Sequence, residues 1–280
     1  MLDRILDNIN LVIAHIGGSP WYNVAFEEAM LDLSDELGNI ARVWINPDSI
    51  VIGYTLDPCI EVKCKLAEAL GIPIVRRVSG GGAVFHDMGN VNISLVIPER
   101  LSVSDGYKLI TGFILKVLAE AGLKGHVENY NDVVVDKWKV SGSSLAIRSK
   151  ATLAHATLLV ASNTELLKAV IKPRWDRVEK GEVTPAKYNP ANVSRFLALN
   201  PQNAMQVVLS ILRRILGSPW MDSPERLHRQ ALSLCLEKYT RAKWSPSSLM
   251  TSYYRCMRPS RLHRGTYTEL PAPRQLGEPA

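Results

Sequence analysis

No apolar run in this 280-residue chain approaches the roughly 18 consecutive residues that a membrane-spanning helix needs. The opening stretch MLDRILDNINLVIAHIGG sets acids among its first turns and has no basic segment ahead of a clean apolar one, so a signal peptide is not expected. A cytoplasmic protein with no membrane partner follows as the expectation. Cysteine is scarce: Cys59, Cys64, Cys235 and Cys256 form no C-x-x-C pair, and no histidine cluster accompanies them. That excludes a structural zinc site by spacing and leaves reduced thiols as the expected state. Both common nucleotide fingerprints are missing, since there is no G-x-x-x-x-G-K-[ST] and no G-x-G-x-x-G opening a helix. Aromatic RNA-binding motifs and a basic recognition helix are missing too, so nucleic acid is not expected as a partner.

What is there is an ordinary globular composition, with 46% hydrophobic and 21% charged residues. The net charge of +6 owes much to a late cluster that includes Arg255, Arg258, Arg261, Arg264 and Arg274. From about Ser245 onward Ser, Pro, Arg and Gly dominate without apolar periodicity, which predicts a folded unit over residues 1–244 and a basic, poorly ordered tail over 245–280. Within the folded unit, Leu11 to Ile16 reads as a strand, and Ser19-Pro20 as the cap and first position of an amphipathic helix. Arg42 to Ile45 and Ser49 to Gly53 read as a hairpin about the Asn46-Pro47-Asp48 turn. Further strands are expected at Pro73 to Val78, Ala83 to His86, Asn90 to Ile97, Asp132 to Val140 and Leu153 to Val160. Helices are expected at Ile60 to Leu70, Asp105 to Glu120, Ala204 to Leu216 and Pro224 to Tyr239. Helices set between hairpin-separated strands predict an α+β fold with mixed, largely antiparallel sheets and flanking helices.

Two segments carry chemistry. In Arg76-Arg77-Val78-Ser79-Gly80-Gly81-Gly82-Ala83-Val84-Phe85-His86-Asp87, consecutive glycines let backbone lie directly against a ligand, and their N–H groups can cradle an anion. The two arginines supply forked donors for phosphate or carboxylate. A bare glycine triplet is as readily a flexible turn, although its place between two strand-like runs argues for a fixed loop. In Asn131-Asp132-Val133-Val134-Val135-Asp136-Lys137-Trp138-Lys139-Val140-Ser141-Gly142, Lys139 ends an extended run before a Ser141–Ser144 turn that could hold it over a pocket. A lysine there can neutralise a phosphate; taken alone it is a surface lysine. His155, opening His155-Ala156-Thr157-Leu158-Leu159, reads alone as a satisfied core residue.

Together these segments resemble the signature of the lipoate–protein ligases. The run RRVSGGGAVFHD, with NPDSIVIG before it and GN after it, carries most of the likeness, and NDVVVDKWKVSG followed by HATLL adds to it. Weaker similarity runs through Asn192-Val193-Ser194 to Trp244. The resemblance implies the catalytic domain shared with biotin ligases and octanoyl transferases. It further implies ATP and Mg2+ as cofactors, with lipoate and a lipoyl-acceptor protein as partners. Carried over by position, Arg77, Gly82, Ala83, Val84 and Phe85 contact ATP, and Lys139 is the catalytic residue, touching nucleotide and lipoyl group. Gly80, Gly81 and His86 line the same cavity, while Asn131 and Asp132 lie near the nucleotide, with Asp132 a magnesium ligand.

The chain departs from the family pattern at Ala156, where a glycine is usual, and an added methyl there either narrows the pocket slightly or requires a backbone adjustment. The stretch after Trp244 is also too short for the accessory domain of single-chain ligases, which implies a separate accessory subunit. Two alternatives stay open: a cysteine-dependent octanoyl or lipoyl transferase of the same fold, and a non-catalytic binding module. The transferase needs an activated thiolate, yet Val140 to Leu234 holds no cysteine.

Overall fold

A computed structural model of the chain describes residues 1–217, 223–246 and 256. Its strands are β1 (Ile9–Ile16), β2 (Asn39–Ile45), β3 (Ser49–Ile52), β4 (Ile74–Arg76), β5 (Val84–His86), β6 (Asn90–Ile97), β7 (Gly125–Glu128), β8 (Asp132–Val135), β9 (Trp138–Ile147) and β10 (Thr152–Leu159). They form a seven-stranded sheet in the order β1-β2-β6-β10-β9-β8-β7 and a three-stranded sheet in the order β4-β3-β5. Only the β1–β2 and β3–β4 pairings are parallel. The expected mixed, largely antiparallel α+β architecture is the one observed.

Period-two alternation decides how the large sheet is covered. In β6, Val91, Ile93, Leu95 and Ile97 face helices Val103–Glu120 and Pro201–Leu216, through residues such as Phe113, Val117, Val208 and Leu212. Val96 faces the opposite side, where helices Pro20–Asp32 and Glu225–Leu234 bring Phe26, Met30, Leu227 and Ala231. Every residue of β6 is therefore buried. The helix Pro20–Asp32 starts where expected, because the Ser19 side chain accepts from the Tyr22 N–H and Pro20 needs no donor.

Three local expectations are corrected. Residues 42–45 and 49–53 are not a hairpin, since β2 pairs with β1 and β6 while β3 joins the small sheet. The buried Asn46 bonds to Asn23 and His86, which fixes the chain as it crosses between sheets. The run 132–140 is two strands, because Asp136 turns at φ 55° and folds β9 back on β8. Consequently Ser141–Ser144 is strand rather than turn. The cysteines are not reduced thiols: Cys59–Cys64 and Cys235–Cys256 are disulfides, with Cα atoms brought to 5.6 and 6.1 Å. Sequence spacing could not reveal the second pair, which the fold closes across 21 positions.

Of the tail expected over 245–280, all but Ser245, Pro246 and Cys256 lie outside the described residues. Ser245 and Cys256 are buried. Among the described residues no helix is long and apolar enough to cross a membrane.

Candidate functional site

The glycine segment leaves β4 and returns as β5, and a chain of bonds holds it still. The Arg77 guanidinium donates from Nε to Ser79 Oγ (2.9 Å), from Nη1 to the Val51 carbonyl (3.1 Å) and from Nη2 to the Gly80 carbonyl (2.5 Å). Ser79 Oγ lies 2.7 Å from His155 Nε2, and His155 Nδ1 lies 2.7 Å from Glu27 Oε1. Ser94 donates to the same Glu27 oxygen at 2.6 Å. Glu27 is buried, which alone would raise its pKa, but His155 and Ser94 outweigh that and hold the carboxyl below its usual range. The relay Glu27–His155–Ser79–Arg77 thus ties a helix, β10 and the loop together.

Gly53 makes this loop possible. A Cβ there would fall 2.0 Å from the Gly81 carbonyl oxygen, so the loop rests directly on backbone. Gly81 itself takes φ 89°. On the far side, the Ala83 N–H donates to Glu61 Oε2 at 2.8 Å, and Glu61 belongs to the short segment closed by the Cys59–Cys64 bridge.

Lys139 arrives on β9. Its N–H donates to the Asn189 carbonyl (2.9 Å) and its carbonyl accepts from the Ala191 N–H (3.0 Å), which fastens the strand to residues 189–191. The ammonium lies 2.7 Å from Asp132 Oδ1. Across the ladder, Gly142 opposes Asp132, and a Cβ at Gly142 would come within 2.9 Å of Lys139 Nζ. A second ammonium, that of Lys187 from the 3-10 turn Pro185–Tyr188, lies 3.3 Å from Asp132 Oδ2. Asn129 donates to Oδ2 as well, at 3.1 Å. Burial would raise the Asp132 pKa, but the two lysines and Asn129 keep it below the usual carboxylate range. Burial pushes the Lys187 pKa down, and repulsion from Lys139 adds to it.

These pieces surround a cavity of about 580 Å3. Of the residues expected at the site, Arg77, Gly81, Gly82, Ala83, Val84, Phe85, His86, Asn131 and Lys139 line it. Gly80 and Asp132 do not. The Gly80 carbonyl is turned into the wall, where Arg77 and Ser144 bond it, and Asp132 is fully buried beneath the two lysines. Of the two arginines, Arg76 proves structural: it binds the carbonyls of Gly53, Tyr54, Leu56 and Trp244. Burial lowers Arg77 to about 10 and His86 to about 3, so near neutral pH the first is charged and the second is not. Ala156 and His155 also line the cavity, and His155 is the keystone of the loop relay rather than inert core.

Several lining residues escaped the sequence reading. Glu27 and Glu61 fall on segments expected to be helical and carry no motif of their own, and Lys187 lies in an irregular, proline-punctuated stretch with no periodic signal. Ser141 and Ser143 were assigned to a turn; both are buried wall residues whose hydroxyls have no hydrogen-bond partner. Six basic residues (Arg77, Lys139, Lys168, Lys172, Arg177, Lys187) line the cavity against two acidic ones, Glu27 and Glu61. Val51, Phe85, Leu159, Leu167 and Ile171 supply apolar lining. The cavity is built for an anion with an apolar extension.

Comparison with known proteins agrees with this geometry. Residues 19–213 match the family described as the lipoyl protein ligase A/B catalytic domain. A protein of Aeropyrum pernix named "Putative lipoate-protein ligase A" is 47% identical, over 85% of this chain and 93% of its own. The Bacillus subtilis lipoate-protein ligase LplJ is 30% identical over 69% of this chain, which spans only 56% of that longer protein. Among solved structures, the bi-partite lipoate protein ligase of Thermoplasma acidophilum superposes with a TM-score of 0.69 at 24% identity, covering 84% of this chain and 95% of that one. A crystal structure of a lipoate-protein ligase A bound with ATP gives 0.70 at 23% identity, covering 84% and 98%. The two superpositions establish a shared fold, and the sequence matches establish descent: the chain belongs to the lipoyl protein ligase A/B catalytic-domain family.

Proposed function

We propose that this protein is a lipoate–protein ligase that activates lipoate with ATP and transfers the lipoyl group to a lysine of an acceptor protein. One observation carries it: the braced glycine loop and the Lys139 ammonium meet in a single cationic cavity with apolar walls. The similar ligase structure with bound ATP supports the nucleotide.

Lipoate's carboxylate attacks the α-phosphorus of ATP, a P–O bond forms, and the bond to pyrophosphate breaks. Lys139 lies where it can offset the charge that builds on the phosphate oxygens, and charge of this kind, fixed beforehand in a partly dry site, is a large catalytic term. The glycine-loop N–H groups of Gly81 and Gly82 provide further donors, while the Ala83 N–H is held by Glu61. The neutral ε-amine of the acceptor lysine then attacks the acyl carbon, forming the amide and expelling AMP. Lys139 forms no covalent bond, because the adenylate is already the activated acyl donor. The cysteine-dependent alternative loses its nucleophile, since all four cysteines are paired.

The expectation that Asp132 holds magnesium does not fit. Its carboxylate is enclosed by two ammoniums and Asn129, and among the described residues no group of three His, Cys, Asp or Glu side chains could hold a metal. Magnesium belongs instead to the substrate, as Mg-ATP, where phosphate oxygens supply its ligands. We also propose an accessory subunit, on the strength of the bi-partite Thermoplasma ligase. Adding it should raise the overall reaction more than transfer from preformed lipoyl-AMP, and equal rates without it would dismiss it.

Lipoate-dependent exchange of pyrophosphate into ATP tests the assignment, because exchange requires adenylation. Lipoylation that proceeds from a lipoyl-carrier protein but never from free lipoate and ATP would overturn it.

A further inference from the structure

The Asp132 carboxylate is oversupplied with positive charge. It is fully buried and already has the Lys139 ammonium at 2.7 Å and an Asn129 donor at 3.1 Å. The Lys187 ammonium at 3.3 Å is therefore not needed to neutralise it. One negative charge is left facing two ammoniums whose side chains are only 20% and 19% exposed. Lysines held this way are costly unless an anion completes the set, and burial together with Lys139 already weakens the charged form of Lys187.

Backbone geometry makes the arrangement fixed. Lys139 pairs with residues 189–191 as an isolated bridge, so the turn carrying Lys187 is fastened to the strand carrying Lys139. Asn129 accepts from the Thr184 N–H at 2.8 Å and anchors the other end of that turn to the β7–β8 connection. Both lysines line the same cavity, and on the Lys139 strand the hydroxyls of Ser141 and Ser143 are buried in the cavity wall without partners. Surplus cations beside unsatisfied hydroxyls call for an oxygen-rich anion.

We propose that Lys187 is a second phosphate-binding residue, gripping the phosphate of the nucleotide and of the acyl-adenylate opposite Lys139, with Asp132 as the buried counter-ion that spaces the two ammoniums. The proposal rests on the ligase assignment above and deepens it. Asp132 then serves to place a pair of cations where a metal-binding carboxylate had been expected.

The test uses the full chain and two variants, Lys187→Met and Lys187→Arg, with AMP as the charged probe and lipoamide as a neutral one, each titrated calorimetrically. Loss of a direct phosphate contact should weaken AMP about tenfold or more in Lys187→Met. Lipoamide binding should stay within about twofold and Lys187→Arg should recover most of the AMP affinity, as expected for two cations that both bind phosphate. AMP affinity unchanged in Lys187→Met overturns the proposal. Equal losses of AMP and lipoamide binding in both variants also overturn it, because Lys187 would then only support the wall. Wild-type pyrophosphate exchange is measured alongside. If the wild-type chain exchanges and binds AMP while Lys187→Met binds it equally well, only this proposal falls; if the wild type, assayed alone and with the accessory subunit, neither exchanges nor binds AMP, the ligase assignment itself falls.

Discussion

Lys139 is one ammonium poised by three neighbours: Asp132 beneath it, Gly142 leaving it room, and the 189–191 backbone fixing its strand. Replacing it with alanine or methionine should cut pyrophosphate exchange by roughly a hundredfold or more, as loss of a preorganised charge does. Far-ultraviolet circular dichroism should be unchanged, and near-normal exchange would remove Lys139 from the mechanism. Two histidines make a different prediction, about pH. Burial, followed by Arg42 and His228, lowers His15 to about 2, and burial, reinforced by Arg77 and His155, lowers His86 to about 3. Below about pH 6.5 the unfolded chain protonates these side chains while the folded chain does not. The unfolded state then binds more protons, so stability falls as pH falls, by roughly 2 kcal/mol per histidine at pH 5. Urea unfolding at pH 7 and pH 5 should show this loss, and His15→Asn or His86→Asn should each shrink it by about half. A pH dependence indifferent to both substitutions would refute the burial account.

At the scale of elements, the glycine loop depends on the strand beneath it. In Gly53→Ala the new methyl meets the Gly81 carbonyl, a backbone atom that moves only if the loop moves. Exchange activity should drop at least about tenfold and stability by about 1–3 kcal/mol. Gly112→Ala is the control: it lies in helix Val103–Glu120, the nearest side-chain atom would be 3.6 Å away, and stability should rise by about 0.5–1 kcal/mol. Equal behaviour of the two variants would show that the loop does not rest on Gly53. How far such elements could be read from sequence depended on whether their signal was local. β6 was legible to the residue, because Val91, Ile93 and Leu95 alternate with Asn90, Asn92 and Ser94 and the run stops at Pro98. The break at Asp136 was not, since a valine-rich run reads as one strand and nothing marks an aspartate about to take positive φ. Asn46-Pro47-Asp48 announced a turn truthfully, but turn chemistry does not say which sheet receives the next strand. In the site, the glycine loop and Lys139 stood out through their motif. Lys187, Glu27 and Glu61 did not, because the tertiary fold alone aims them at the cavity.

Across the whole molecule, the C-terminal helical segment is part of the catalytic scaffold. Glu27 and Glu28 are adjacent and both buried, yet they serve different tasks: Glu27 braces the loop, and Glu28 anchors the C-terminal segment. Glu28 accepts from Tyr239 Oη, Lys238 Nζ and Arg148 Nη2, each at 2.7 Å. Beyond that anchor, Trp244 and Ser245 bond Arg76, the residue before Arg77. Burial, then Glu28, raises the Tyr239 hydroxyl pKa well above the ordinary range, so it remains a donor to that carboxylate. Glu28→Ala should therefore cost about 1–3 kcal/mol, chiefly by leaving the buried Tyr239 donor unsatisfied, since Arg148 and Lys238 can turn to solvent. Tyr239→Phe should cost about 1 kcal/mol, for one hydrogen bond. The Cys235–Cys256 bridge joins residues 21 positions apart, and its loss should cost about 3 kcal/mol through a freer unfolded state. The chemistry should be spared, because the ligase mechanism uses no thiol. A chain with Cys59, Cys64, Cys235 and Cys256 all changed to serine should melt lower than wild type. Assayed well below its own melting temperature, it should keep most of its lipoate- and ATP-dependent exchange. If it is folded by circular dichroism yet inactive, and restoring one single cysteine revives it, the thioester transferase becomes the better account of this fold.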